Sequence, residues 1–315
     1  MSVLSKAYFH DEKAAFEKLE QIVWPNGPVC PHCGNKGDKP FYDLSKTRIG
    51  LKKCGDCRKQ FTVRVGTVFE SSHVPLHKWL QATHLMCSSK KGISAHQLHR
   101  VLEVTYKTAW FMAHRLREAM RDSSPLPLGG EGQTVEADET YFGNVKAARA
   151  KRIFINGKGW VRRGAGGEAK FKVVSLVERG GRARSVHVPY LTANNVRKVL
   201  KQNVLAKTDL MTDNARLYDT VGKEFNSHET VNHSIYEYAR GIVHTNTIEG
   251  FFSIFKRGMR GVYQHCSEKH LHRYLAEFDF RYSERKVSDT ERAETALRGV
   301  KGKRLTYRRT DAAQA

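Results

Sequence analysis

No apolar run in these 315 residues approaches the roughly 18 that a membrane-spanning helix needs. The first thirty residues hold no apolar core of a secretory signal, and neither end reads as a basic amphipathic membrane anchor. Internal repeats and long low-complexity tracts are also missing. That argues against a solenoid and against a largely disordered chain. Acidic side chains are scarce, 32 against 54 basic ones, giving a formal charge of +22 and a pI near 9.8. Such a balance suits a polyanionic partner, nucleic acid first and an anionic membrane surface second. A cytoplasmic, nucleoid-associated protein is expected. Cysteine is sparse as well: there are six, four of them in two CxxC pairs, with Cys87 and Cys266 left over. In a reducing compartment the pairs are expected to hold metal rather than to form disulfides.

What is present divides by pattern. Residues 1–25 read as an N-terminal helix with Phe9, Phe16, Leu19, Ile22 and Val23 on one stripe, and residues 26–70 as a Gly-, Lys- and Cys-rich ribbon. Residues 71–122 form a helical block, and the composition of 123–133 reads as a linker. From 134 to 285 strands and helices alternate. Strands are expected at "TVEADETYFG", "FKVVSLVERGG", "RARSVHVPYL", "TDLMTDN" and "HETVNHS", and helices at "TANNVRKVLKQN", "ARLYDTVGKEF", from 245, and around "EKHLHRYLAEFDFRYSER". The insert 143–170 carries eight basic residues, among them Arg152, Arg162 and Arg163, against the single acid Glu168. It reads as a basic hairpin or flexible loop that tracks DNA or bridges subunits. Residues 286–315, with eight basic and four acidic side chains, read as a basic tail.

Cys30 and Cys33 are separated from Cys54 and Cys57 by twenty residues between the pairs. Each CxxC turn aims two sulfurs at one point, so the set predicts a tetrahedral four-thiolate zinc site. Four thiolates close the coordination shell, which makes the zinc structural. Lys52, Lys53 and Arg58 in the same ribbon are candidate DNA contacts. The stretch "SAHQLHRVLEVTYKTAWFMAHRLREAM" has the layout of a helix-turn-helix, N-capped at Ser94. Leu98, Val101, Ala109, Met112 and Leu116 are its expected core. Tyr106, Lys107, His114, Arg115 and Arg117 are candidates for phosphates or base edges.

The chemistry points to the acids. "HTNTIEGFFSIFKRGMRG" places Ile248, Phe251, Phe252, Phe255 and Met259 on one helical face. On another lie Asn246, Glu249, Ser253, Lys256 and Arg260, with Glu249 and Lys256 two turns apart. "VEADETYFG" sets Asp138 on a strand, and "LMTDNAR" sets Asp213 at a strand end. Phosphodiester chemistry with two divalent ions needs a convergence of hard oxygen ligands of this kind. Spacing alone leaves Glu136 and Glu139 beside Asp138, Asp209 and Asp219 beside Asp213, and Asn246 beside Glu249 as alternatives.

The motifs "CPHCG…KKCGDCRKQF", "VGTVFESSHVPLHKWL", "KTAWFMAHRLREAM", "VEADETYFGN", "MTDNA" and "HTNTIEGFFSIFKRGMRGVY…KHLHRYLAEFDFRYSER" together resemble one group. It is the bacterial insertion-sequence transposases of ISXO type, which join a zinc ribbon to a DDE domain. The resemblance implies an α/β ribonuclease-H-like, integrase-type catalytic domain with a mixed sheet, preceded by the ribbon and the helix-turn-helix. It implies Asp138, Asp213 and Glu249 as catalytic residues holding two Mg²⁺ or Mn²⁺ ions, with Lys256 accessory. In that group the third position is Asn or Glu, so Asn246 stays open. It further implies binding of terminal inverted repeats, cleavage by metal-activated water, and joining of 3′-hydroxyl ends to target DNA by a homo-oligomer. Two rival expectations stand beside it: a catalytically inactive DNA-binding regulator, and a nuclease or resolvase on the same fold.

Overall fold

The computed structural model describes residues 2–143, 152–155, 159–162 and 170–306. The chain divides into two compact units, 1–122 with 285–315, and 123–284.

The first unit opens with α1 (Glu12–Val23), N-capped by Asp11, whose carboxylate accepts from the Ala14 amide. Phe9, Phe16 and Leu19 of the expected stripe are buried. A three-stranded antiparallel ribbon follows: β1 (Phe41–Asp43), β2 (Lys52–Cys54) and β3 (Gln60–Phe61). Trp24 and Phe41 each set a ring edge-on to buried Phe61. Then come α2 (Leu76–Ser88), α3 (Ala95–Leu102) and α4 (Tyr106–Met120). A turn of three residues joins α3 to α4, with Glu103 in the left-handed region (φ 51°) and Thr105 capping α4 through the Thr108 amide. Leu98, Ala109, Met112 and Leu116 are buried as expected, while Val101 is 54% exposed.

Several basic side chains expected at DNA are committed elsewhere. Arg115 is buried and donates to the carbonyls of Val68, Glu70 and Leu305. Arg117 and His114 are buried too. A buried guanidinium needs acceptors, and here backbone carbonyls remote in sequence supply them. Lys52 lies 3.1 Å from Glu20 with 15% of its side chain exposed, so it braces the ribbon on α1. Lys107 and Arg58 remain exposed, and Lys53 is half-buried.

In the second unit, β4 (Thr134–Phe142) is central. The insert contributes a short antiparallel hairpin, β5 (Arg152–Ile155) with β6 (Gly159–Arg162). Of its other basic residues all but Lys170, Arg163 included, lie outside the described residues. The sheet continues with β7 (Phe171–Glu178) and β8 (Ala183–Val188). After α5 (Ala193–Asn203) come β9 (Asp209–Asp213) and β10 (Ser227–Val231). The sheet order is β10-β9-β4-β7-β8, with β7 antiparallel to β4 and β8, and β9 parallel to β4 and β10. Numbered within the sheet this is 3-2-1-4-5 with the second strand reversed, the ribonuclease-H-like arrangement. β7 is buried along nearly its whole length, because both faces of the sheet are covered.

Alternation along β4 sorts its side chains. Val135 and Ala137 face a core shared with α5. Phe142, on the other face, joins a core built with α6 (Asn246–Gly258) and α7 (Glu268–Ser283). Between β10 and α6 lies a small hairpin of β11 (Ala239–Arg240) and β12 (Val243–His244). All five apolar residues read on the α6 stripe are buried. Fully burying each stabilises the unit by about 1.5–3 kcal/mol. Phe255 meets Phe142 and Phe278 edge-on at 5.8 and 5.2 Å, which fixes how α6 lies under β4.

Three expectations differ from the structure. Residues 215–225 form turns and a short 3₁₀ segment, not a helix. The stretch read as a linker is tied into the second unit: Leu128 is fully buried, accepts from Leu205 N and donates to Asn203 O. The segment read as a tail contains α8 (Asp289–Arg298), opened by a Ser288–Glu291 capping box. Ala293, Ala296 and Leu297 are buried, Arg292 donates to Cys87 O, and Glu294 pairs with Lys18 at 2.6 Å. Residues 307–315 lie outside the described residues. Among the described residues no helix is long and apolar enough to cross a membrane.

Candidate active site

Two sites of distinct chemistry emerge, one in each unit. In the ribbon, the sulfurs of Cys30, Cys33, Cys54 and Cys57 all lie within 4.8 Å of one another. Cys30 Sγ is 3.6 Å from Cys57 Sγ, and Cys33 Sγ is 3.7 Å from Cys54 Sγ. A tetrahedral zinc with Zn–S bonds of about 2.3 Å sets its sulfurs about 3.8 Å apart, so the four thiols fit that ion. A disulfide, at about 2.05 Å, does not fit. Gly34 takes a φ of +80°, which lets the first knuckle turn back. The Asn35 side-chain amide donates to Cys54 Sγ at 3.5 Å, and its other contact, Lys39 O, holds it in place.

In the second unit, the register of β4 on β9 pairs Thr134 with Asp209, Val135 with Leu210 and Glu136 with Met211. Continued by two residues, it sets Asp138 level with Asp213. Ladder pairing stops at Glu136, and β9 ends at Asp213, so β4 runs on without a neighbour on that side. One carboxylate oxygen each from Asp138, Glu139 and Asp213 meets there within 4.8 Å. Oxygens bound at about 2.1 Å to one octahedral Mg²⁺ lie about 3 to 4.2 Å apart, so the donor set suits a hard divalent cation.

Hydrogen bonds fix the three. Asp138 Oδ1 accepts from the Glu139 amide at 2.7 Å, and Asp213 Oδ1 from the Ala215 amide at 3.2 Å. Glu139 Oε2 accepts from the hydroxyl of buried Tyr218 at 2.9 Å. Burial pushes the Asp138 carboxyl up to about 8, with the charges of Glu139, Asp213 and Glu249 adding to it. Burial also raises Asp213 and Glu139. Three acids driven toward their neutral forms lie together in a chain of net charge +22, an arrangement that fits a divalent cation.

Glu249 lies outside this trio. It sits in the first turn of α6, 44% exposed, accepting from Thr245 Oγ1 at 3.2 Å with His233 at 3.6 Å. Its charge adds to the upward shift of the Asp138 carboxyl. Lys256 lies two turns on, half-buried, its ammonium 5.7 Å from the Phe252 ring. Arg260 and Asn246 are exposed. Asp209 is excluded as an alternative: it stands at the opposite end of β9, bonded to Asn226 and Ser227. Glu136 is excluded as a ligand as well, since it is fully buried with both oxygens taken by donors. Glu139 is the member that spacing left undecided; the only signal for it was the acid run "EADE".

A pH dependence follows. An acid held above its unfolded value keeps the folded state protonated where the unfolded chain has released its proton. Stability is therefore lost as pH rises from about 4 through about 8. The melting temperature of the cation-free protein is expected to fall between pH 6 and 9 in a buffer without chelator. Added Mg²⁺ should raise it most at the alkaline end, and Asp138→Asn should flatten the slope. A pH-independent melting temperature in the unmodified protein would contradict this.

Residues 127–283 match the family described as the ISXO2-like transposase domain, and residues 10–60 match the transposase zinc-ribbon domain. Over 280 residues the chain is 31% identical to an uncharacterized protein in transposable element ISH50 of Halobacterium salinarum, covering 87% of this chain and 91% of that one. Among solved structures, a simian T-cell lymphotropic virus intasome in complex with PP2A regulatory subunit B56 gamma aligns at 13% identity and TM-score 0.29. It covers 58% of this chain and 67% of that one. The Mos1 strand transfer complex aligns at 14% and 0.27, over 70% of this chain and 73% of that one. Both scores are too low to bear on the chemistry.

Proposed function

The chain belongs to the insertion-sequence DDE transposases with an amino-terminal zinc ribbon, and on that premise we propose the steps it performs. It binds the terminal inverted repeats of its element, cleaves a phosphodiester at each end with water, and joins the freed 3′-hydroxyls to target DNA. The observation that supports this best is the meeting of Asp138, Glu139 and Asp213 where β4 and β9 part. When bound there, divalent ions, Mg²⁺ or Mn²⁺, supply Lewis-acid stabilisation of the attacking and leaving oxygens of an in-line displacement.

The chain's own residues do the rest. Asp138 in the middle of β4 and Asp213 at the end of β9 are the paired anchors, and Glu249 offers a third carboxylate from α6. Tyr218 holds Glu139 at the rim by its hydroxyl. Lys256 neutralises a phosphate of the transferred strand. Lys53, Arg58, Lys107 and Arg260, with Arg152, Arg162 and Arg163 of the insert, hold the polyanion against a cluster that otherwise repels it. Both ends of the element must be cut together, so the DNA-bound form is a homo-oligomer. The zinc braces the ribbon and takes no part in the reaction.

Strand transfer on labelled end DNA with Mg²⁺ tests this. Glu249→Ala is expected to lower joining on the order of a hundredfold or more, about 2.7 kcal/mol of transition-state stabilisation. Glu139→Gln is expected to lower it by less than about tenfold. Equal joining by wild type and Glu249→Ala removes Glu249 from the site, and the reverse ranking makes Glu139 the third ligand. Cutting without joining marks a nuclease, and neither marks a DNA-binding regulator.

A further inference from the structure

We infer that Glu136 is a positioning residue that sets the catalytic geometry by capping α6 from the neighbouring strand. The inference rests on the proposed role of Glu249. Glu136 and Asp138 lie two apart on β4, so they face the same side of the sheet, the side that carries α6. An acid with no solvent exposure needs a donor for each lone pair it buries. Glu136 has three donors, at least one on each oxygen. Its Oε1 accepts from Arg179 Nε at 2.7 Å and Thr247 Oγ1 at 2.8 Å. Its Oε2 accepts from the Ile248 amide at 2.9 Å.

The Ile248 contact matters most. Ile248 is the third residue of α6, where an N-cap side chain ordinarily takes the free amide. The residue in the N-cap position, Thr245, makes no such bond; its hydroxyl donates to Glu249 instead. Glu136 does the capping across space, and its charge sits at the positive end of the helix. Arg179 completes the clamp. Its amide donates to Thr134 O of β4, and its guanidinium binds the carbonyls of Ile242 and His244 on the approach to α6.

The consequence is geometric. The amide that Glu136 grips belongs to the residue immediately before Glu249. One side chain thus ties the strand of the first acid to the helix turn of the third. The phenyl rings behind α6 fix its tilt, and Glu136 fixes its position along and around its own axis.

The test is a double-variant cycle on the full-length, zinc-loaded protein bound to end DNA. It reads the Mn²⁺ dissociation constant by electron paramagnetic resonance and the single-turnover nicking rate. Glu136→Gln is expected to weaken Mn²⁺ binding about ten- to a hundredfold and to slow nicking, with DNA affinity unchanged. Thr247→Val, nearly isosteric and on the opposite partner, should move both in the same direction by less. Adding Glu136→Gln to Glu249→Ala should weaken Mn²⁺ no further than Glu249→Ala alone. Wild-type Mn²⁺ affinity in Glu136→Gln overturns the inference. So do losses that add in the double variant, because they signal general loosening of the fold. If Glu249→Ala itself binds Mn²⁺ and nicks normally, the assignment of Glu249 falls first; that case is distinct because Glu249→Ala is then the silent variant.

Discussion

Asp138→Asn is expected to reduce end cleavage and joining by at least about three orders of magnitude, roughly 4 kcal/mol of transition-state stabilisation, while leaving end-DNA binding intact. The substitution keeps shape and removes charge at the one acid that burial pushes up to about 8. Without a cation, much of that carboxyl is already protonated near neutral pH, so the fold loses little and gains some stability. The variant is therefore expected to melt higher than wild type in the absence of divalent ions, and to be inactive in their presence. That opposition is the signature of a functional strain rather than a structural role. Asp213→Asn should behave alike with a smaller gain in melting temperature. Single-turnover cleavage, gel-shift affinity and a thermal melt on the same preparations check it. An Asp138→Asn protein that cuts at wild-type rate, or that melts lower and binds DNA poorly, contradicts the assignment.

The second large effect is loss of the ribbon on removal of zinc. Its strands are three, three and two residues long. Strands that short do not hold together unaided. In small zinc modules the metal contributes about 10–16 kcal/mol toward the folded state. Cys54→Ala removes one of four thiolates and the acceptor of the Asn35 amide together. The variant is expected to purify without zinc, where wild type carries one ion per chain. Its segment between the cysteine pairs should become protease-sensitive, and end-specific DNA binding should fall with it. Metal analysis with limited proteolysis reads the first two, and a titration against end and unrelated DNA reads the third. A zinc-free ribbon that resists protease would contradict the structural assignment.

The local features were legible in the sequence because their signals are local. Ile248, Phe251, Phe252 and Phe255 of α6 recur at helical spacing with Met259 just beyond it, and the cysteine knuckles announce themselves by spacing alone. Register was not legible. Asp138 and Asp213 meet because β4 and β9 align Glu136 with Met211, a pairing across 75 residues. No periodicity within either strand encodes it. The turn region 215–225 misled because Leu217, Tyr218, Val221 and Phe225 imitate a helical stripe. The chain instead spends that stretch anchoring Tyr218 to Glu139 and bringing Gly222 against the ring of His228, where a larger residue would collide. The α8 cap was readable, since "SDTE" is a capping-box pattern, but the basic composition around it outweighed the motif. Arg115 looked like a DNA contact because its acceptors, Val68 O, Glu70 O and Leu305 O, lie far away in sequence.

The account's central claim is a divalent cation held jointly by Asp138 of β4 and Asp213 at the end of β9. Anomalous diffraction from crystals of the full-length protein with end DNA and Mn²⁺ tests it most directly. The expected result is a manganese peak about 2.0–2.3 Å from a carboxylate oxygen of Asp138 and from one of Asp213, beside a phosphate of the bound strand. Manganese bound with neither aspartate in its shell would contradict it.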